Sequence, residues 1–150
     1  MFSQFTKSLD LIEQALQQAS ITYARIDGTT TMPQRKKIVE EFQANKNDVS
    51  VLLLSLKTGG VGLNLTRANY VFHIDPWWNP SVENQASDRA HRMGQKNTVF
   101  VSRLIMHGTI EEKIMQLKEK KLKIFNEAME QAEQKTDSVI SKQDFDWLLS

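Results

Sequence analysis

Apolar residues change their spacing repeatedly along this chain, and the changes predict an α/β protein. Short runs rich in β-branched, aromatic and leucine residues predict strands over residues 1–6, 22–26, 49–54, 69–74 and 99–105. Because helical spacings separate these runs, and because the runs are apolar throughout, we expect a mostly parallel sheet covered on both faces. The first two helices are predicted to bury Leu9, Ile12, Leu16 and Ala19, and then Ile38, Val39 and Phe42.

A further helix is predicted between the start signal Asn79-Pro80 and Gly94. In such a helix, Gln85, Arg89 and Arg92 fall within about 60° of each other. An arginine keeps its charge at physiological pH, and its planar fork suits phosphate oxygens. This face is therefore either an anion-binding site or an ordinary solvated basic face. The residues expected to form an apolar stripe against the core are Val82, Ala86, Ala90 and Met93.

A long charged helix is predicted from Thr109 to about Gln134. We interpret its lysine-rich middle as a solubilising face. Residues 134–142 are typical of a polar linker, and residues 144–149 of a short amphipathic end that docks on the domain. We therefore predict a core domain over residues 1–108 and a C-terminal extension over residues 109–150. The apolar side of the long helix comprises Ile110, Ile114, Leu117, Ile124 and Ala128.

Composition adds a charge asymmetry to this picture. The net charge of the 150 residues is +1, but residues 85–123 carry +5 and residues 124–150 carry −4. A basic segment beside an acidic tail suggests a polyanionic partner.

The chain has no cysteine, which excludes disulfides and thiolate metal sites. It also has no apolar run of the roughly 20 residues that span a bilayer, so we expect no membrane partner.

A glycine-rich loop, Ser55–Thr66, follows the third predicted strand. Its glycines Gly59, Gly60 and Gly62 would let the backbone approach a phosphate, and consecutive N–H groups can bind an anion. No Walker A loop is present, because the chain contains no Gly-Lys-Ser/Thr sequence. A dinucleotide fingerprint is incomplete, because Leu65 stands where its third glycine belongs. A tight strand-to-helix turn is the alternative interpretation.

Two tryptophans, Trp77 and Trp78, follow the fourth predicted strand in a loop bounded by prolines. Buried indole N–H groups need hydrogen-bond partners, so we expect one tryptophan to pack in the core and the other to be available to a ligand. The three histidines share no metal-ligand spacing, and no Ser-His-Asp or paired-carboxylate arrangement is evident.

Five segments in this order resemble the second RecA-like lobe of Swi/Snf-type double-stranded-DNA translocases, within helicase superfamily two. The resemblance covers about residues 2–130 and is most specific in its last two segments. The segments are Phe2-Ser-Gln-Phe5, Ile26-Asp-Gly28 with Arg35, Lys57-Thr-Gly-Gly-Val-Gly-Leu-Asn-Leu-Thr66, Asp75-Pro-Trp-Trp-Asn-Pro80, and Gln85-x-x-x-Arg-Ala-His-Arg-x-Gly-Gln95.

The resemblance implies a three-layer RecA-like lobe with a mostly parallel central sheet and a long C-terminal helical extension. It implies that Arg89 and Arg92 are arginine fingers for the γ-phosphate of ATP and that Gln85 belongs to the same catalytic motif. Nucleotide contacts are expected from Gly60, Gly62 and Asn64 in addition to the two arginines. DNA contacts are expected from Ser3, Gln4, Lys57, Thr58, Gly59, Gly60, Trp77 and Trp78.

The same resemblance implies partners that these 150 residues do not include. ATP with Mg²⁺ would be bound mainly by an N-terminal RecA-like lobe of the same parent chain, and the nucleic-acid partner would be double-stranded DNA. We therefore expect a fragment that neither holds a cofactor nor hydrolyses ATP alone. The expected location is intracellular, in the nucleus of a eukaryote or the cytoplasm and nucleoid of a prokaryote. The alternatives are a non-catalytic DNA- or protein-binding module and a Rossmann-type nucleotide enzyme.

Overall fold

The computed structural model describes residues 1–58, 62–77 and 79–134, and it confirms the α/β class. The strands are β1 (Phe2–Ser3), β2 (Tyr23–Ile26), β3 (Val51–Ser55), β4 (Tyr70–His73) and β5 (Phe100–Arg103). The helices are α1 (Thr6–Gln18), α2 (Met32–Gln43), α3 (Pro80–Ser87) and α4 (Ile110–Gln134), with a short 3₁₀ helix over Lys46–Asp48. All strands are parallel and lie in the order β2-β3-β1-β4-β5.

Two apolar clusters show that helices cover both faces of this sheet. On one face, Leu9 and Leu16 of α1 pack against Leu53 of β3. On the other face, α2 and α3 pack against alternate strand residues, including Leu52 and Leu54 of β3. Successive strand residues point to opposite faces, so β3 contributes to both clusters and the three-layer arrangement is confirmed. Ala19 was wrongly predicted to be buried, because α1 ends at Gln18 and leaves it exposed.

The strand β5 differs from the buried strand that its sequence predicts. All four of its residues are exposed, because β5 lies at the edge of the sheet and β4 is its one neighbour among the described strands. Tyr70 of β4 stacks on Phe100 at a ring-centroid distance of 5.2 Å, yet 57% of Tyr70 and 51% of Phe100 remain exposed. The apolar residues of β5 therefore form an exposed edge of the sheet.

The chain divides into two units, Met1–Glu112 and Lys113–Ser150. Within the described part of α4, Ile114 is buried, whereas Ile110, Leu117 and Ile124 are exposed. The predicted linker and amphipathic end lie outside the described residues, and the predicted division into two domains remains a prediction. Among the helices that are described, none has the length and apolar character needed to cross a membrane.

Candidate functional site

The carboxyl ends of β1 and β4 are joined by a buried aspartate, Asp75. Its Oδ2 accepts hydrogen bonds from Ser3 Oγ at 3.1 Å and from the Gln4 backbone N–H at 2.7 Å. The Gln4 side chain points the same way, with Nε2 3.5 Å from the carbonyl oxygen of Pro76. Burial raises the pKa of Asp75, although the hydrogen bonds from Ser3 and Gln4 oppose that rise. Asp75 thus fixes the segment after β1 against the loop that carries the tryptophans.

The carboxyl ends of β1, β2 and β3 border an open cleft of about 510 Å³. Gln4 and Lys7 line it from the β1–α1 side, Gly28 from the turn after β2, and Lys57 from the loop after β3. Helix α1 starts here without a side-chain cap. A cleft with two lysines and a helix N-terminus has the polarity that suits a phosphate group.

Two predicted DNA-binding residues at this edge are internal. Ser3 is completely buried, and its hydroxyl contacts both Asp75 and the backbone of Phe5. Thr58 is also buried, where Oγ1 lies 2.8 Å from the Ser55 carbonyl oxygen and 2.9 Å from Ser55 Oγ. Both side chains therefore stabilise the edge from inside, whereas Lys57 beside them is exposed.

The turn after β2 is held by an ionic and hydrogen-bonded cluster around Asp27. Its Oδ1 accepts from the Thr29 hydroxyl at 2.7 Å, and its Oδ2 accepts from Arg25 Nε at 2.8 Å. The hydrogen bond from the Thr29 side chain, helped by Arg25, lowers the pKa of Asp27. Arg35 donates to the carbonyl oxygens of Asp27 and Thr30 at 3.2 and 2.8 Å. The cluster around Asp27 therefore holds in place the turn that carries Gly28, one of the residues that line the cleft.

The tryptophan loop is anchored by Glu83, a residue of α3. Glu83 is 2% exposed, and its Oε1 accepts from the backbone N–H of Trp77 at 2.6 Å. Its Oε2 accepts from Arg103 Nε of β5 at 2.9 Å. The Trp77 side chain is partly buried against the core, as expected for one tryptophan of the pair. Trp78 lies outside the described residues.

The glycine-rich loop lies in the chain between the carboxyl end of β3 and the amino end of β4. It leaves the carboxyl end of β3 at Lys57 and reaches Leu65, shortly before β4 begins. There the Leu65 N–H donates to the Arg89 carbonyl oxygen at 2.9 Å. Gly62 and Asn64 are exposed, and a Cβ on Gly62 would meet nothing within 4 Å. The predicted ligands Gly59 and Gly60 are not among the described residues.

Helix α3 ends at Ser87, seven residues before the predicted stop at Gly94. Residues 88–95, which we call the arginine turn, form consecutive turns instead. In a continued helix the carbonyls of Arg89 and Ala90 would accept from the amides four residues later. Here they accept from Leu65 N at 2.9 Å and from Gln95 Nε2 at 3.1 Å. The first bond ties the arginine turn to the end of the glycine-rich loop, and the second is local, since Gln95 belongs to the same turn.

The shorter helix changes where three predicted residues lie. Gln85 remains on α3 and is exposed, but Arg89 and Arg92 belong to the arginine turn, so the single helical face predicted for them is wrong. The Arg89 Nε atom is buried and has no hydrogen-bond acceptor among the described residues. Arg92 is exposed and lines an open cleft of about 490 Å³ with His91, Met93 and Gln95.

The apolar stripe predicted beside these residues is only partly correct. Ala86 and Ala90 are buried, and Val82 packs against the same cluster. Met93 is fully exposed, because the chain has left the helical path before reaching it.

Three residues that organise the site were not identified as site residues from the sequence. They are Asp75, Glu83 and Gln95, whose side chains bind backbone groups of the segments around them. Gln95 Nε2 also donates to the Ala68 carbonyl oxygen at 2.9 Å, just before β4. The arginine turn is therefore held at the amino end of β4, whereas the tryptophan loop follows its carboxyl end.

The described residues contain no group of histidine and acidic side chains arranged to hold a metal ion.

Comparisons with known proteins agree with this geometry. Residues 1–94 match the family described as helicase conserved C-terminal domain. The chain is 50% identical over 129 residues to DNA repair protein RAD5 of Cryptococcus neoformans, covering 86% of this chain and 11% of that protein. It is 42% identical over 151 residues to an Arabidopsis thaliana protein described as SWI/SNF-related matrix-associated actin-dependent regulator of chromatin subfamily A member 3-like 1, covering 100% of this chain and 17% of that protein.

A solved structure, the C-terminal part of the Fun30 ATPase domain, superposes with a TM-score of 0.74 at 41% identity. The match covers 77% of this chain and 37% of that one. The chain thus spans only about 11–17% of the length of the curated relatives given above. It belongs to the helicase conserved C-terminal domain family, as a C-terminal lobe of the Swi/Snf type within helicase superfamily two.

Proposed function

We propose that this chain is the C-terminal motor lobe of an ATP-dependent double-stranded-DNA translocase. In this proposal an N-terminal lobe of the same parent protein binds most of ATP and Mg²⁺, and Arg89 and Arg92 bring positive charge to the γ-phosphate. The observation that carries it is the Arg89 Nε, which is buried without an acceptor in the described part of the lobe. Arg89 as a residue is only partly buried, so a phosphate oxygen would satisfy that donor once the guanidinium turns toward it.

The chemistry expected of the two arginines is electrostatic. Phosphoryl transfer spreads negative charge over the γ-phosphate oxygens, and a positioned guanidinium stabilises that charge. Arg92 is exposed and beside an open cleft, so it can reach a group on a second lobe. Gln85, Gly62 and Asn64 are exposed as well and complete the proposed nucleotide-facing set together with Gly60.

DNA is proposed to bind at the carboxyl edge of the sheet. Gln4, Lys7 and Lys57 line one cleft there, and the tryptophan loop is tied to the same edge through Asp75. Ser3 and Thr58 support this edge from inside, while Gly59, Gly60, Trp77 and Trp78 remain proposed contacts. Contacts of lysines and backbone amides to phosphate oxygens carry no sequence information, so binding should be independent of sequence and sensitive to salt. The proposed site of action is the nucleus in a eukaryotic cell and the nucleoid in a prokaryote.

The function is tested in the full-length parent by ATP turnover and triplex displacement, each with and without duplex DNA. DNA-stimulated turnover with ATP-dependent displacement supports the proposal. Binding of DNA that ATP never alters would indicate a non-catalytic binding module instead. The isolated chain should show no turnover and a DNA dissociation constant of about 10⁻⁴–10⁻⁶ M.

Lys57→Ala tests the DNA edge separately. Loss of one phosphate contact should weaken binding equally for unrelated sequences and reduce the slope of log affinity against log salt by about 1. Lys36→Ala is the matched control, because Lys36 is an exposed lysine of α2 away from the cleft. Equal effects of the two substitutions would exclude Lys57 as a specific contact.

A further inference from the structure

Glu83 is the most buried carboxylate in the described part of the chain, at 2% exposure. Both oxygens are engaged, one by the Trp77 backbone N–H at 2.6 Å and one by Arg103 Nε at 2.9 Å. These contacts join the tryptophan loop, α3 and the edge strand β5 through one side chain. Burying a charge is costly unless it is paired and hydrogen-bonded, and such a pair adds little to stability compared with apolar packing. The pair instead fixes the relative positions of the segments that it joins, because each hydrogen bond of the carboxylate has a defined geometry.

The far end of α3 is also fixed by directional contacts. The Ser87 hydroxyl donates to the Glu83 carbonyl oxygen at 3.1 Å and lies 2.9 Å from His73 Nε2 of β4. His73 itself is completely buried and stacks on Phe2. A chain of buried polar contacts therefore runs from the tryptophan loop along α3 to its last residue, which directly precedes the arginine turn.

We propose that Glu83 is a positioning residue that couples DNA contact at the tryptophan loop to the placement of the arginine turn. A displacement of the Trp77 backbone acts on the carboxylate, which belongs to α3, and α3 leads directly into Arg89. The second connection between the two regions, the glycine-rich loop ending at Leu65, meets the same turn at the Arg89 carbonyl. This inference rests on the proposed function, because it assigns DNA to one end of α3 and nucleotide to the other.

The test is the ratio of DNA-stimulated to DNA-independent ATP turnover in the full-length parent. Glu83→Gln keeps the size of the side chain and an acceptor for the Trp77 N–H, but it removes the ion pair with Arg103. We expect the ratio to fall by roughly 5–150-fold, the usual range for coupling between two sites. A thermal melt of each variant shows that the protein is folded. Glu40→Gln, at an exposed position on α2, is the matched control and should leave the ratio unchanged.

Arg103 variants give an independent arm that leaves Glu83 in place. Arg103→Leu should lower the ratio, and Arg103→Lys should recover part of the loss because it retains the positive charge. If both Glu83→Gln and Arg103→Leu lower the melting temperature but keep the ratio within about twofold of the parent, Glu83 is structural only and the inference is overturned. If Glu83→Gln does not fold, the two Arg103 variants decide between these outcomes by the same ratio.

Failure of the proposed function is distinguishable from failure of this inference. A parent without DNA-stimulated turnover, or one whose turnover survives Arg92→Ala, overturns both. A parent that needs Arg92 and is stimulated by DNA, but whose ratio is unaffected by Glu83→Gln and Arg103→Leu, overturns the coupling role alone.

Discussion

The motif from Gln85 to Gln95 is divided between α3 (residues 80–87) and the arginine turn (residues 88–95), and the lobe holds these two regions in different ways. The first set is a helix whose inner face contains buried Glu83, Ala86 and Ser87. The second set is a series of turns held by hydrogen bonds to Leu65 and Ala68, and it leaves Arg92 exposed. The comparison indicates two roles: α3 packs on the sheet and holds the segment in place, and the arginine turn exposes the positive charge of Arg92. Substitutions in the two sets should therefore separate stability from turnover.

The largest effect is expected at the two arginines of the arginine turn. Arg92→Ala or Arg89→Ala in the parent should lower ATP turnover by roughly 10³-fold or more, in line with arginine-finger magnitudes. DNA affinity without nucleotide should change little, because the proposed DNA edge lies elsewhere. Turnover and filter-binding assays check this, with Lys96→Ala as a nearby control that removes charge from an exposed position. Retained turnover together with lost DNA affinity would make the arginines backbone contacts.

A smaller effect is expected where the turn enters the core. Ala90 is 2% exposed, and its cluster includes Phe2, Leu65 and Val71. Ala90→Leu should therefore overpack the core and lower the free energy of unfolding by about 1–3 kcal/mol. Denaturant unfolding of the chain measures it. A neutral result would mean that the turn can move outward without cost.

A third substitution probes the polar contacts behind α3. Ser87→Ala removes the hydroxyl that contacts both the Glu83 carbonyl and His73 Nε2. Because His73 Nε2 loses this hydrogen bond inside the protein, the expected cost is about 1–3 kcal/mol. Ser81→Ala, on the exposed face of the same helix, is the control and should be close to neutral. Equal melting temperatures for the two variants would contradict the assigned contact.

The smallest effect is expected at Met93. This side chain is fully exposed, so Met93→Ser should change the free energy of unfolding by less than about 0.5 kcal/mol. If the predicted helix continued to Gly94 with Met93 in the core, a polar substitution would cost roughly 2–5 kcal/mol. One thermal melt distinguishes these cases and so tests where α3 ends.

The sequence was most informative where local rules and tertiary packing agree. The apolar runs predicted five strands and their parallel arrangement, and the motif order predicted the family before the fold was described. It was less informative about burial at the sheet edge, because apolar β5 has the composition of a central strand but has one neighbour among the described strands. The pairing partners of a strand are set by the whole topology, which no window of residues contains.

What the chain alone determined, then, was which elements form and in what order, since helical and strand periodicities are properties of neighbouring residues. The tertiary structure decided where α3 stops and which polar groups meet. After α3 ends, the Arg89 carbonyl accepts from Leu65 and the Gln95 side chain donates to the Ala68 carbonyl, and both contacts join segments that are distant in the chain. The same holds for Glu83, whose partners Trp77 and Arg103 flank it in the chain but are brought to one carboxylate only when α3 packs on the sheet.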